Sequence, residues 1–395
     1  MPTFFEFFAG GGMVRAGLEQ AGWKCLFAND FDHKKAATYR KNWRGGKELF
    51  EGDVRNAEAH LPARTPDLIW ASFPCQDLSL AGAGAGLRGD RSGTFWPFWK
   101  IIKRMHAEGR MPSSIVLENV CGALTSHEGR DFEAIVEAFT EIDFNVGAVV
   151  IDAELFVPQS RPRLFFIGVP ASKGLAKKFS VLDERSFNWH PPALKRAYSA
   201  LPEKLQKNWV WWNMPLPAKR NKAIANILEK DTAVAWHTPE ETKQILAMMS
   251  PLNAKKVEKA KVSKTRMVGT MYRRTRKTSD GEPVQRVEVR FDNVAGCLRT
   301  PAGGSSRQQV IVVDGKTVRT RLISARETAR LMGLDDSYEL PERYNDAYHL
   351  TGDGVVVPVV KHLAENLFAD LIAAKTPRSR SAPKSAPKKA GRKAA

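Results

Sequence analysis

The first 170 residues alternate short apolar runs with stretches whose apolar positions recur at helical spacing. Residues 3–8, 24–28, 67–73, 114–117, 145–151 and 164–169 read as strands, and 13–21, 95–107 and 131–142 as amphipathic helices. Near-continuous apolar strands in regular alternation with helices predict an α/β fold, a mostly parallel sheet covered on both faces. Ligands of such sheets collect at the carboxyl ends of the strands. From about Ser172 the texture changes: helical periodicity weakens, and Trp189, Trp209, Trp211 and Trp212 read as the core of a second, smaller domain. Two hairpins are legible, turning at Asp280-Gly281 and Asp314-Gly315 between β-branched residues. Ser324-Ala325-Arg326-Glu327 is a capping box opening a helix that Gly333 is placed to end. A closing helix over 358–373 is apolar enough to pack back on the first sheet. The chain thus divides into a first domain at 1–171 completed by 350–374, a smaller domain with its connecting segment at 172–349, and a tail at 375–395.

Charge changes this picture. The chain carries 61 Lys and Arg against 43 Asp and Glu, a formal +18, which points to a polyanionic partner. The tail holds eight basic residues and no acid in a Pro-, Ala- and Ser-rich composition that cannot form a core. It reads as a disordered basic tether. Residues 255–290 carry twelve basic residues against four acids, so the smaller domain is itself basic. Cys25, Cys75, Cys121 and Cys297 are widely spaced with no C-x-x-C pair, which argues against zinc and a disulfide framework and for a reducing compartment. No apolar run approaches the roughly 18 residues of a membrane span, and the amino terminus lacks a basic leader. The expectation is a metal-free cytoplasmic protein associated with the nucleoid.

Candidate chemistry sits at the predicted strand ends. In "FFAGGGMVRAGL" a strand stops at Phe8, Gly10 and Gly12 turn the backbone, and a helix begins, so N–H groups face an incoming ligand. The G-x-G-x-x-G pattern is incomplete, because Arg15 stands at its third glycine. Asp30 ends the next strand, where a carboxylate accepts hydrogen bonds from ribose hydroxyls. Phe31 beside it can lie against an adenine ring, and Asp53 in "EGDV" can reach its amino group. In "DLIWASFPCQ" an apolar run stops on Cys75, and in "SIVLENV" another ends at Glu118. Arg161 and Arg163 in "QSRPRLFF" offer guanidinium at the same rim, which matters because a free thiol of pKa about 8.5 needs activation. Residues 77–93 contain five glycines with Arg88 and Arg91, which read as a lid closing over a polyanion, its arginines meeting phosphates.

The order FAGGG, PCQ, ENV, Q-x-R-x-R, a variable basic region, RLISARE and a closing G-x-x-V resembles the DNA cytosine-5 methyltransferases. The likeness covers about residues 3–170 and 286–372. It implies a Rossmann-like S-adenosylmethionine-dependent methyltransferase sheet with a smaller, basic, mostly β or irregular target-recognition domain. It implies methyl transfer from S-adenosylmethionine to carbon 5 of a cytosine flipped out of double-stranded DNA, without a metal. By resemblance Cys75 is the nucleophile that adds to carbon 6, and Glu118 contacts ring N3 and the 4-amino group. Asn119 holds the loop bearing Cys75, and Arg161 and Arg163 support the ring carbonyl and the catalytic carboxylate. The donor falls to Phe8, Gly10, Gly12, Asp30, Phe31, Asp53, Asp353 and Val355, and DNA to Gln76, Ser79, Arg88 and Arg91. Family members have Asp where Glu6 stands and Asn where Asp353 stands. The resemblance also implies a monomer on DNA and a cognate restriction endonuclease as possible partner. A tRNA cytosine-5 methyltransferase of the same family and an inactive DNA-binding relative stay open as alternatives.

Overall fold

The computed structural model describes residues 1–74, 94–172, 188–278, 280–299 and 307–373. Its larger sheet comprises β1 (Thr3–Phe7), β2 (Lys24–Asp30), β3 (Leu49–Glu51), β4 (Leu68–Ala71), β5 (Ser114–Val120), β6 (Phe144–Asp152) and β7 (Pro162–Pro170), in the order β3-β2-β1-β4-β5-β7-β6. β1 to β5 pair in parallel, and β7 runs antiparallel to both β5 and β6. All six strands read from the sequence are present; β3 is additional.

Every β1 side chain is buried, and alternation sends successive residues to opposite cores. Phe4 joins Trp70, Val116 and Phe165 beneath α1 (Met13–Gln20) and α2 (His33–Asn42). Phe5 and Phe7 join Ile69, Ile115 and Leu117 beneath α3 (Phe95–Ala107) and α4 (Arg130–Thr140). Each large apolar side chain so buried contributes about 1.5–3 kcal/mol before entropy is counted.

The four tryptophans do not form a small-domain core. They follow or flank the short helices α5 (Pro192–Ser199) and α6 (Glu203–Gln206) and bury themselves against the large sheet, Trp189 and Trp212 in one core, Trp209 and Trp211 in the other. Gly147 explains why this segment docks on β6. Val210 donates to the Val146 carbonyl at 2.9 Å, and a Cβ at Gly147 would lie 1.7 Å from the Val210 carbonyl oxygen.

The smaller sheet follows α7 (Pro239–Ala247) and α8 (Pro251–Lys261). Its strands β8 (Met267–Lys277), β9 (Pro283–Arg290), β10 (Gln309–Asp314) and β11 (Thr317–Leu322) are antiparallel, in the order β11-β10-β8-β9. The two hairpins are those expected. Met271, Val287, Val289, Ile311 and Val313 share one core with Ile245 and Val257 of the two helices.

The chain then returns to the large sheet through α9 (Ala325–Leu331), α10 (Tyr344–Asp353), α11 (Val357–Leu363) and α12 (Ala369–Ala373). Ser324 and Glu327 make the expected reciprocal cap, and Gly333 takes φ 75° after α9. The closing helix is not continuous: a π-helical turn at Ala364–Phe368 separates α11 from α12 and lays Phe368 edge-on to Trp23 and Trp70. Among the described residues no helix is long and apolar enough to cross a membrane.

Candidate active site

β4 and β5 lie side by side, and their carboxyl ends carry the central groups. Glu118 is buried near the end of β5, and its Oε1 lies 3.2 Å from Nε of Arg163 on the neighbouring β7. Burial raises the Glu118 carboxyl above its usual range, while Arg163 and then Arg161 draw it back. Asn119 donates its side-chain amide to the Phe73 carbonyl at 3.3 Å and accepts from its neighbour's N–H at 2.8 Å, which ties the end of β4 to β5. Phe73 is two residues before Cys75. Cys75, Gln76, Ser79, Arg88 and Arg91 lie outside the described residues, as does the basic tail.

Arg161 is placed differently from Arg163. Its guanidinium is buried and bonded to backbone: Nη1 donates to Leu298 O at 2.8 Å, and Nη2 to Gly352 O at 2.7 Å and Gly354 O at 2.8 Å. It thereby fastens the closing G-x-x-V segment to the chain arriving from the smaller domain. Its Nη1 also lies 3.3 Å from Sγ of Cys297. Burial alone would raise the Cys297 thiol, but Arg161, Arg163 and Arg299 hold it below its usual range. Sequence reasoning missed Cys297, because nothing local announces the arginines around it.

Of the expected donor residues, Phe8, Gly10, Gly12, Asp30 and Phe31 lie at the ends of β1 and β2. Phe8 (φ 59°), Gly10 (φ 56°) and Gly12 (φ 77°) form a left-handed turn into α1. A Cβ on Gly12 would strike the Trp43 ring, so the turn requires glycine there. The buried Asp30 carboxylate accepts from the Gly10 N–H at 2.7 Å through one oxygen and from the Asp32 N–H at 2.8 Å through the other. Burial raises the Asp30 carboxyl, with the charge of Lys35 opposing. Phe31 beside it is 72% exposed and presents an open aromatic face. A buried carboxylate, an exposed ring and a tight glycine turn fit a nucleoside, so the residues present suit S-adenosylmethionine. Lys35, also missed, joins this group: its Nζ is 2.7 Å from Asp353 Oδ2. Asp53 caps the turn after it through the Arg55 N–H and pairs with the Arg55 guanidinium, both at 2.8 Å. The Val355 side chain belongs to the core. Glu6 is buried beneath the same turn, where desolvation lifts its carboxyl well above the usual range against the pull of Arg15.

Residues 2–369 match the C-5 cytosine-specific DNA methylases. The chain belongs to this family. It is a DNA (cytosine-5-)-methyltransferase, and the family implies S-adenosylmethionine as methyl donor and DNA as substrate. The methyltransferase is 25% identical over 390 residues to the Type II methyltransferase M.HpaII of Haemophilus parainfluenzae, covering 93% of this chain and 90% of the relative. It is 25% identical over 373 residues to the Type II methyltransferase M.HhaI of Haemophilus parahaemolyticus, covering 93% and 94%. Its fold is shared with the S. pombe Dnmt2 methyltransferase (TM-score 0.60, 17% identity, 94% of this chain and 99% of that one). A putative DNA modification methyltransferase from an E. coli prophage shares it too (TM-score 0.52, 16% identity, 94% and 100%).

Proposed function

We propose that this methyltransferase acts on a cytosine extruded from a specific double-stranded DNA sequence, through a transient bond between Cys75 Sγ and carbon 6 of the ring. Carbon 5 of cytosine is too poor a nucleophile to accept a methyl group unaided. Addition of the Cys75 thiolate to carbon 6 places an electron pair in the ring and makes carbon 5 the reactive end of an enamine. Glu118 shares a proton with ring N3 as that charge enters, and Arg163 orients Glu118 and faces the ring carbonyl. Asn119 positions the Cys75 segment, and Arg161 positions the backbone around the pocket. S-adenosylmethionine, when bound, supplies the methyl group, held by the Gly10–Gly12 turn, by Asp30 at the ribose, by Phe31 and Asp53 at the adenine, and by Asp353. Loss of the carbon 5 proton and departure of Cys75 then restore the aromatic ring. Gln76, Ser79, Arg88 and Arg91 engage the DNA around the vacated base, whose extrusion costs a few kcal/mol.

The observation that supports this reading is the buried Glu118–Arg163 pair at the rim where β4, held by Asn119, delivers the chain to Cys75. The likeness to Type II methyltransferases supports a protective role beside a cognate restriction endonuclease, with the enzyme working as a monomer on DNA. Bisulfite sequencing of DNA from cells expressing the enzyme tests the reading. A single protected cytosine context is expected. Transfer of labelled methyl groups to tRNA but not to duplex DNA would reject it.

A further inference from the structure

A cleft of about 900 Å³ runs from the active-site rim into the smaller domain. At one end it is bordered by Ser160, Pro162 and Cys297, neighbours of Arg161 and Arg163. Its far wall is one face of the β8–β9 hairpin. Strand register defines that face. Tyr272 stands opposite Glu288, and Arg274 opposite Arg286; opposed residues share a side of the ribbon. Met271, Val287 and Val289, on the alternate positions, point into the small core. The outer part of β8, from Arg273 to Lys277, is exposed and contributes nothing to that core.

Two features of this face call for a ligand. Arg274 and Arg286 are directly cross-strand, an arrangement of like charges that destabilises an isolated ribbon. Arg274 lies over the Tyr272 ring, 5.8 Å from its centroid, and reaches the edge of Glu288 at 3.9 Å, and the Arg286 side chain makes no hydrogen bond or ion pair among the described residues. Their neighbours, in contrast, are fixed. Glu288 accepts from Tyr272 OH at 2.5 Å and from Arg276 Nε at 3.0 Å, and Arg290 is forked onto Asp292. Two guanidinium groups with no side-chain hydrogen bond among the described residues therefore stand in the centre of an ordered, cleft-facing ribbon.

Building on the reading above that the substrate is duplex DNA, we propose that Arg274 and Arg286 are specificity-determining residues that read guanine. A two-stranded ribbon fits the major groove, where the planar fork of arginine meets O6 and N7 of guanine two-pronged. The recognition sequence therefore contains at least one G·C pair besides the target pair. Phosphate contact, the competing role for an arginine, belongs to the rim of such a face; this pair stands opposite the catalytic rim, inside the cleft.

A randomised duplex library methylated in vitro and read by bisulfite sequencing tests this, with Arg274→Gln, Arg286→Gln and Arg286→Lys compared with the unaltered enzyme. At least one Gln variant is expected to lose its preference for guanine at one defined position by about tenfold or more. Arg286→Lys keeps the charge but not the fork, and is expected to share the defect of Arg286→Gln. Thermal unfolding of each variant reports that the fold persists. An unchanged site preference in both Gln variants, or a recognition sequence without a further G·C pair, would overturn the inference. So would a uniform loss of affinity that Lys restores, with the salt slope reduced by about 0.9 in each Gln variant, the signature of a phosphate contact. An unaltered enzyme that methylates no duplex DNA would instead defeat the underlying functional reading.

Discussion

Glu118 is pulled two ways, toward the neutral acid by burial and toward the anion by Arg163 and Arg161. Such a carboxyl is suited to exchange a proton with a ring nitrogen. Glu118→Gln preserves its shape and abolishes that exchange. Single-turnover methylation should fall by about 10²–10³-fold, while titration with S-adenosylhomocysteine shows donor binding intact. Arg161 and Arg163 separate in the same way. Arg161→Ala strands three backbone carbonyls and should cost about 3 kcal/mol or more in urea unfolding; a loss below about 1 kcal/mol would refute its fastening role. Glu6 gives a pH signature. Because its folded-state carboxyl is raised, it contributes stability below the ordinary carboxyl range and loses it as pH climbs through the raised value. Glu6→Gln should therefore gain stability relative to the unaltered enzyme as pH rises above the ordinary carboxyl range, and a difference that stays constant with pH would contradict this. That Glu118 and Arg163 share one rim was legible in the sequence, because each stands at an end of an apolar run, and the structure sets them 3.2 Å apart. The backbone acceptors of Arg161 lie 137 to 193 positions away, and Asp353 lies 318 from Lys35. Local pattern carries no trace of such pairings.

Among the elements, the strands buried on both faces announced themselves as unbroken apolar runs. α2 did not, since it buries only Ala36, Thr38 and Tyr39 and is started by Asp32 accepting from the Lys34 and Lys35 N–H groups. β3 is three residues long and too short for any periodicity. The tryptophans misled for a different reason. Composition identifies a core residue without saying which core, and long-range contacts such as the approach of residue 210 to Gly147 assign them to the large sheet. That approach is testable. Gly147→Ala must push the two segments apart, and its unfolding midpoint in urea should drop by the equivalent of about 2 kcal/mol or more. An unaffected midpoint would mean that the contact is not tight.

For the molecule as a whole, the formal +18 and the arginine-lined cleft make DNA affinity electrostatic at base. Fluorescence anisotropy on non-cognate duplex between about 50 and about 200 mM salt should show log affinity falling by about 0.9 per phosphate neutralised per log unit of salt. Removing residues 375–395, which hold eight of the basic groups, should lower both that slope and non-cognate affinity without altering the methylated context. An equal slope would deny the tail its tethering role. The proposed chemistry turns on one bond. Duplex DNA carrying 5-fluorocytosine at the methylated position cannot release its carbon 5 substituent, so with S-adenosylmethionine present the enzyme should be trapped on it. Proteolysis and mass mapping of the adduct are expected to find it on Cys75. An adduct on any other side chain, or none from a preparation that methylates the normal site, would contradict the account.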